Sequence, residues 1–357
     1  MPGRAKMACK SVIRNLIVAA FCLVAGLVTL RSTSSGQTAR PTLNRSLYRH
    51  VVQVGWVVNN LDAVVDYWQM LGLRNIRRAG VMSFPDVTYR GKKTPLKLKM
   101  AFGDIGGVQI EWIQPVEGRS VYNEFLSAHG DGVHHLAYQM PSPAVMRQQI
   151  QYFKSRGVRV VQFGTWKGQK GEGRFAYLDT APEGGGLTLE LVYNPDWPRG
   201  GETARANEYP FNNINHFGFV VRNVRKVSAY WQHVGFGSLQ IVHNISLNRM
   251  YHGRPGKFEM DLGWNRRGDR PFEWIQSTEG PNDYIDYRKK HGQGLHHLGF
   301  TVKDMDAAIA HFKARGVGVT MSGGWDDHGY KGRFAYLDTD PHGGVTIELI
   351  WNQPHSK

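Results

Sequence analysis

Two sets of four residues carry the chemistry open to this sequence. Gln53, Glu111, His135 and Glu190 stand 58, 24 and 55 residues apart, and His216, Glu273, His297 and Glu348 stand 57, 24 and 51 apart. Imidazole and carboxylate donors in this mixture suit Zn, Ni, Co, Mn or Fe(II), with positions left for a substrate. Taken singly, each residue reads as an ordinary satisfied core group. The matched spacing of the two sets is what points to one divalent metal per functional domain. The second set is the stronger, because Gln53 is a neutral, poorer donor where His216 is an imidazole. Both cysteines, Cys9 and Cys22, lie within the first 39 residues, so the ligands must be His, Asp, Glu or Gln.

Strand alternation positions these groups, since every second side chain shares a face. In HHLGFTV, Leu298, Phe300 and Val302 fall on one face with His296, expected against the helix that follows, which leaves His297, Gly299 and Thr301 on the concave face. The same count puts His135, Gln53 and His216 on that face. Glu190 and Glu348 each stand between aliphatic neighbours, where a carboxylate is costly without a partner, and Glu111 and Glu273, each followed by Trp-Ile-Gln, have the same character.

The equal spacing reflects duplication. GRFAYLDT occurs at 173–180 and again at 332–339, GVHHLAY matches GLHHLGF, and IEWIQPVEG matches FEWIQSTEG. Each copy divides again into two βαβββ halves: a strand, a helix with apolar residues at helical spacing (Leu61, Val64, Val65 and Trp68 in the first), then three strands. Asn60, Asn223 and Asp304 sit where N-caps belong, and Gly72, Gly157, Gly235 and Gly316 where C-terminal glycines belong. The expected organisation is a leader over 1–39, a first domain over 47–195, a Pro- and Gly-rich linker over 196–210 and a second domain over 211–354. The leader has a basic start, an apolar run from Leu16 to Leu30 and a small polar tail. It reads as a secretory signal peptide or an uncleaved N-terminal membrane anchor, with the domains outside the cytoplasm: periplasmic, secreted or held at a membrane.

Four βαβββ units, with GVHHLAY and GLHHLGF opening the even-numbered ones and LELV and IELI closing them, resemble the vicinal oxygen chelate superfamily. That superfamily includes glyoxalase I, methylmalonyl-CoA epimerase, extradiol dioxygenases and the bleomycin and fosfomycin resistance proteins. The resemblance runs from Tyr48 to Pro354, and the stretch Glu111 to Tyr138 is most similar to the epimerase. It implies an α+β fold in which four βαβββ modules pair into two half-open eight-stranded barrels around a divalent metal. The chemistry it implies is that of a lyase or isomerase working through an enediolate on a small carbonyl-containing metabolite, with Glu273 and Glu348 moving the proton. A second implied reading is an Fe(II) extradiol ring-cleavage dioxygenase using His216, His297 and Glu348, since the run from His328 through Tyr336 and Pro341 to Glu348 resembles that signature. A third is a non-catalytic protein that sequesters a small molecule.

The loop Asp326, Asp327, His328 and Tyr330 has polar residues that the first copy lacks, and His328 could act as a general acid or base at the barrel mouth. Arg333 and Tyr336 are candidates for holding an anionic substrate; alternatively Arg174 and Arg333 pair with Asp179 and Asp338. The formal charge of +15 comes with no nucleic-acid motif, and a third of it belongs to five basic residues of the leader. The remainder reads as a diffuse field that attracts an anionic or vicinal-oxygen small molecule. The oligomeric state is left open.

Overall fold

A computed structural model describes residues 41–197, 207–327 and 329–354. The leader, and with it the signal peptide or anchor, lies outside the described residues. Residues 40–357 cluster as one compact unit.

In the first copy, β1 (Gln53–Val57) leads into α1 (Leu61–Leu71), followed by β2 (Arg77–Phe84), β3 (Val87–Tyr89), β4 (Lys92–Lys93), β5 (Leu96–Ile105) and β6 (Val108–Glu117). Then come α2 (Val121–His129), β7 (Gly132–Gln139), α3 (Pro143–Ser155), β8 (Val160–Lys167), β9 (Glu172–Leu178) and β10 (Thr188–Tyr193). The second copy repeats the plan with β11 (His216–Val220), α4 (Val224–His233), β12 (Gln240–Asn244), β13 (Leu247–Tyr251), β14 (Arg254–Pro255), β15 (Glu259–Asn265) and β16 (Phe272–Glu279). It closes with α5 (Asp283–His291), β17 (Gly294–Thr301), α6 (Met305–Lys313), β18 (Val319–Asp327), β19 (Tyr330–Leu337), α7 (Asp340–Gly343) and β20 (Thr346–Pro354). The caps are built as their residue types require. Asn60, Asn223 and Asp304 accept from the amides of Ala63, Lys226 and Ala307. Gly72, Gly157, Gly235 and Gly316 take the left-handed conformation that ends each helix.

Each copy forms one sheet of ten strands, ordered β2-β5-β6-β1-β7-β10-β9-β8-β3-β4 and its equivalent from β11 onward. The sequence expectation was eight. The extra pair is the hairpin β3–β4, whose first strand crosses from the first module to pair with β8 of the second. Only Pro85 and Asp86 separate β2 at one end of the sheet from β3 near the other. That short link forces the sheet to curl into a half-barrel. The helices α2 and α5, which the βαβββ pattern did not contain, bridge the two modules of each copy.

One hydrophobic core runs through both copies, holding Trp56, Trp68 and Trp112 of the first together with Phe211, Trp231 and Trp274 of the second. The Trp68 indole donates to the Gly343 carbonyl at 3.1 Å, and those of Trp231 and Trp274 donate to Gly184 at 3.2 Å. Each copy therefore satisfies a buried polar group of the other.

Candidate metal centre

Two rows of residues cross the second sheet. In one, His216 faces Gly299, Gly299 faces Glu348 and Glu348 faces Tyr336; in the other, Glu273 faces Gly218 and Gly218 faces His297. The rows are two residues apart along β11, so their side chains share the concave face. Each histidine stands opposite a glycine, and a Cβ on Gly299 or Gly218 would overlap the ring of His216 or His297. The missing side chains let both rings lean across the neighbouring strand, bringing their Nε2 atoms to 3.0 Å.

The carboxylates complete the cluster. Glu348 Oε2 lies 3.1 Å from His216 Nε2 and 3.4 Å from His297 Nε2, and Glu273 Oε2 lies 3.5 and 3.7 Å from the same atoms. At metal–donor bonds of about 2.1 Å, neighbouring donors are about 3.0 Å apart in an octahedron and about 3.4 Å apart in a tetrahedron. His216, His297 and Glu348 thus stand at metal-chelate separations, with Glu273 slightly farther out. Among the described residues, His216, His297 and Glu348 form the group of three whose ligand atoms all lie within 4.8 Å of one another. Glu348 Oε2 is buried and faces the two imidazole Nε2 atoms, an arrangement that a cation would satisfy.

The tautomer of His216 is set from outside. Asn215 Nδ2 donates to Thr301 Oγ1 at 2.9 Å, which turns its Oδ1 toward His216 Nδ1 at 3.0 Å. That nitrogen must donate, so once the ring is neutral it is Nε2 that offers a lone pair to the cluster, as a ligand needs. Burial pushes the His216 imidazole down, but Glu273 and Glu348 outweigh it and lift it to about 10. Burial, with His216 and His296 beside it, holds His297 well below the usual range. Burial also raises Glu273, against the pull of His216. A divalent ion therefore competes with a proton on His216.

His296 departs from the expected face. The β11–β17 register shifts at Gly218, which makes His296 the extra residue of a bulge. Its ring sits edge-on to Tyr284 and Tyr287 of α5 and to Tyr336, not on α6. Beneath the cluster, Tyr284 and Tyr336 share a hydrogen bond of 2.9 Å, and burial keeps both phenols protonated.

The cluster opens into a cavity of 370 Å³ lined by Asn215, Trp264, Arg266, Trp325, Phe334 and Tyr336, among others. Arg266 stacks 4.1 Å above the Trp264 ring and is the cation at this mouth. Arg333, the sequence candidate, lies outside it and pairs with Asp306 at 2.8 Å, not with Asp338. Arg174 likewise pairs with Glu172, not Asp179. His328 lies outside the described residues, and Tyr330, beside it, is exposed. Sequence reading passed over Arg266 because it sits where the repeats diverge. Asn215 had a signal, its place directly before His216.

The first copy assembles less. His135 Nε2 lies 3.0 Å from Glu190 and 3.6 Å from Glu111, and Gly55 leaves room for its ring as Gly218 does for His297. Gln53, however, faces Ala137 instead of a glycine, and its amide donates to Gln109 at 2.7 Å. Burial pushes His135 down, and Glu190 and Glu111 outweigh it, lifting it to about 9.

The model of the Glyoxalase/Bleomycin resistance protein/Dioxygenase superfamily matches residues 52–177 and 215–336, once in each copy. The chain belongs to this superfamily, the vicinal oxygen chelate group. Among solved structures, a mutant of 4-hydroxymandelate synthase from Streptomyces coelicolor is similar with a TM-score of 0.55 at 13% identity, covering 87% of this chain and 94% of that one. A Mn(II)-bound glyoxalase from Novosphingobium aromaticivorans is similar with a TM-score of 0.45 at 15% identity, covering 85% and 82%. At these identities the first likeness speaks to the fold alone. No curated protein matches the sequence. For a superfamily member, the half-barrel with convergent His and Glu side chains is the place where a divalent metal would be held, here by His216, His297 and Glu348 with Glu273 beside them.

Proposed function

We propose that the second copy is the active centre of a divalent-metal-dependent lyase or isomerase, which moves a proton at a carbon beside a carbonyl of a small anionic substrate. The observation that carries this reading is the second carboxylate: Glu273 stands 3.5 and 3.7 Å from the two histidine nitrogens, slightly farther than Glu348. A metal held there would polarise the substrate oxygens and acidify the neighbouring C–H bond. Glu273, raised by burial, is suited to take that proton and return it. Asn215 holds His216 in its ligating tautomer, Tyr336 and Tyr284 offer protonated hydroxyls, and Arg266 supplies a cation for a carboxylate or phosphate at the mouth. The leader supports export of the protein, to be tested by N-terminal sequencing of material recovered outside the cytoplasm.

A second reading follows from the tighter group of three. His216, His297 and Glu348 without Glu273 make the two-histidine, one-carboxylate set of Fe(II) oxygenases. Metal analysis of the purified protein separates the two. Zn, Ni, Co or Mn, with solvent deuterium entering a 2-hydroxy or 2-oxo carbonyl compound, supports the isomerase or lyase. Ferrous iron with catechol-dependent oxygen uptake replaces it by the dioxygenase.

A further inference from the structure

A cavity of 320 Å³ lies away from both metal-type clusters, where the N-terminal segment and the first sheet meet the second copy. Tyr48, Tyr138, Trp231 and Trp274 wall it with aromatic rings, and Arg45, Arg49 and Arg267 ring it with charge. Duplication supplies an internal control. In the repeat alignment Tyr48 corresponds to Phe211, Tyr138 to Phe300, Arg267 to Ile105 and Arg45 to Glu208. At that equivalent junction Phe211, Phe300 and Ile105 are wholly buried, and Glu208 is paired with Arg74 and Arg315. Both junctions are aromatic and buried, but one is neutralised by ion pairs while the other keeps a cavity and three arginines without carboxylates at its rim. Close packing is the ordinary outcome of such an interface.

The charge is available. Arg45 spends its Nε on the Gly235 carbonyl and Arg267 one N–H group on Phe236, while the Arg49 side chain has no partner among the described residues. None of the three has a carboxylate partner among the described residues. Asp269, next to Gly268 of the wall, is already held by Arg270 at 2.6 Å and His50 at 3.3 Å.

We propose that this cavity is a second ligand site, for an organic carboxylate with a flat apolar body. The rings take the body by stacking and the guanidinium groups take the carboxylate. The site is independent of the metal centre and of the activity proposed for it. Calorimetric titration of the full chain with 1-naphthoate, against 1-naphthamide as the uncharged counterpart, tests it. One naphthoate should bind per chain, about tenfold or more tighter than the amide. Arg49→Gln, at an exposed side chain with no hydrogen bond to lose, should weaken it by about fivefold or more. Arg266→Gln, and Arg77→Gln at a residue lining the first-copy cavity that holds Gln53, Glu111 and Glu190, should leave it unchanged. Binding that is absent, no tighter than that of the amide, unchanged in Arg49→Gln, or lost in either barrel variant overturns the proposal.

Discussion

The ring of His216 occupies the space above Gly299 on the neighbouring strand, space that a Cβ would fill. In the first copy Gln53 faces Ala137 at the same pair of positions. At this pair of positions an imidazole and a missing side chain thus occur together in the second copy and are absent together from the first.

Gly299→Ala should therefore damage the metal centre without touching a ligand. The added methyl displaces the His216 ring, and metal affinity should fall by about 10- to 100-fold, the range for groups that orient ligands. Overpacking at this site should cost about 1–3 kcal/mol of stability. Metal titration together with thermal unfolding separates the two effects; unaltered affinity would show that the ring has another place to go.

The reciprocal experiment builds a site. Gln53→His alone places a ring against Ala137, whereas Gln53→His with Ala137→Gly reproduces the His216–Gly299 pair. Elemental analysis should find one metal per chain in the parent and the single variant and two in the double variant. Equal stoichiometry in the single and double variants would remove the steric explanation.

Asn215→Ala leaves His216 Nδ1 without its acceptor and frees the ring to change tautomer. Metal binding should weaken by about tenfold or more, again as expected for a group behind the ligand. Asn215→Asp, which keeps an acceptor oxygen, should retain most of the affinity in the same titration.

Metal binding should strengthen with pH. The proton on His216 is held up to about 10 by Glu273 and Glu348, against the effect of burial, and must leave before Nε2 can ligate. Below that value one proton is released per metal, so the Kd should fall about tenfold per pH unit. Competition with a chelator at pH 6, 7 and 8 reads the slope directly; a flat profile would place the proton elsewhere.

The interface between copies is part of the fold's stability. Trp68 is fully buried and its indole reaches Gly343 in the other copy. Trp68→Ala should cost about 3–5 kcal/mol, read as a lower midpoint in denaturant. Because one core spans both copies, a single cooperative transition is expected for both sheets.

Sequence alone determined where helices start and which candidate side chains share a strand face. Asn60, Asn223 and Asp304 declared the helix starts, because only a short polar side chain reaches the free amides of a first turn. Strand alternation put His216, His297, Glu273 and Glu348 on one face, because the period of a strand is fixed by its backbone. What only tertiary structure decided depends on contacts remote in the chain. The β3–β4 hairpin joins β8 across the half-barrel, so a pattern read locally as three strands became part of a ten-stranded sheet. The bulge at His296 turned that ring toward α5, since an extra residue in one strand breaks the alternation on which the face assignment rested. Arg266 reached the cavity mouth and Arg333 did not, because the direction of a surface arginine is set by what it can stack on or pair with, here Trp264 for one and Asp306 for the other. Whether the chain leaves room for a ring at this position likewise depended on the residue opposite it, Gly299 facing His216 or Ala137 facing Gln53, which lies on another strand about eighty residues away.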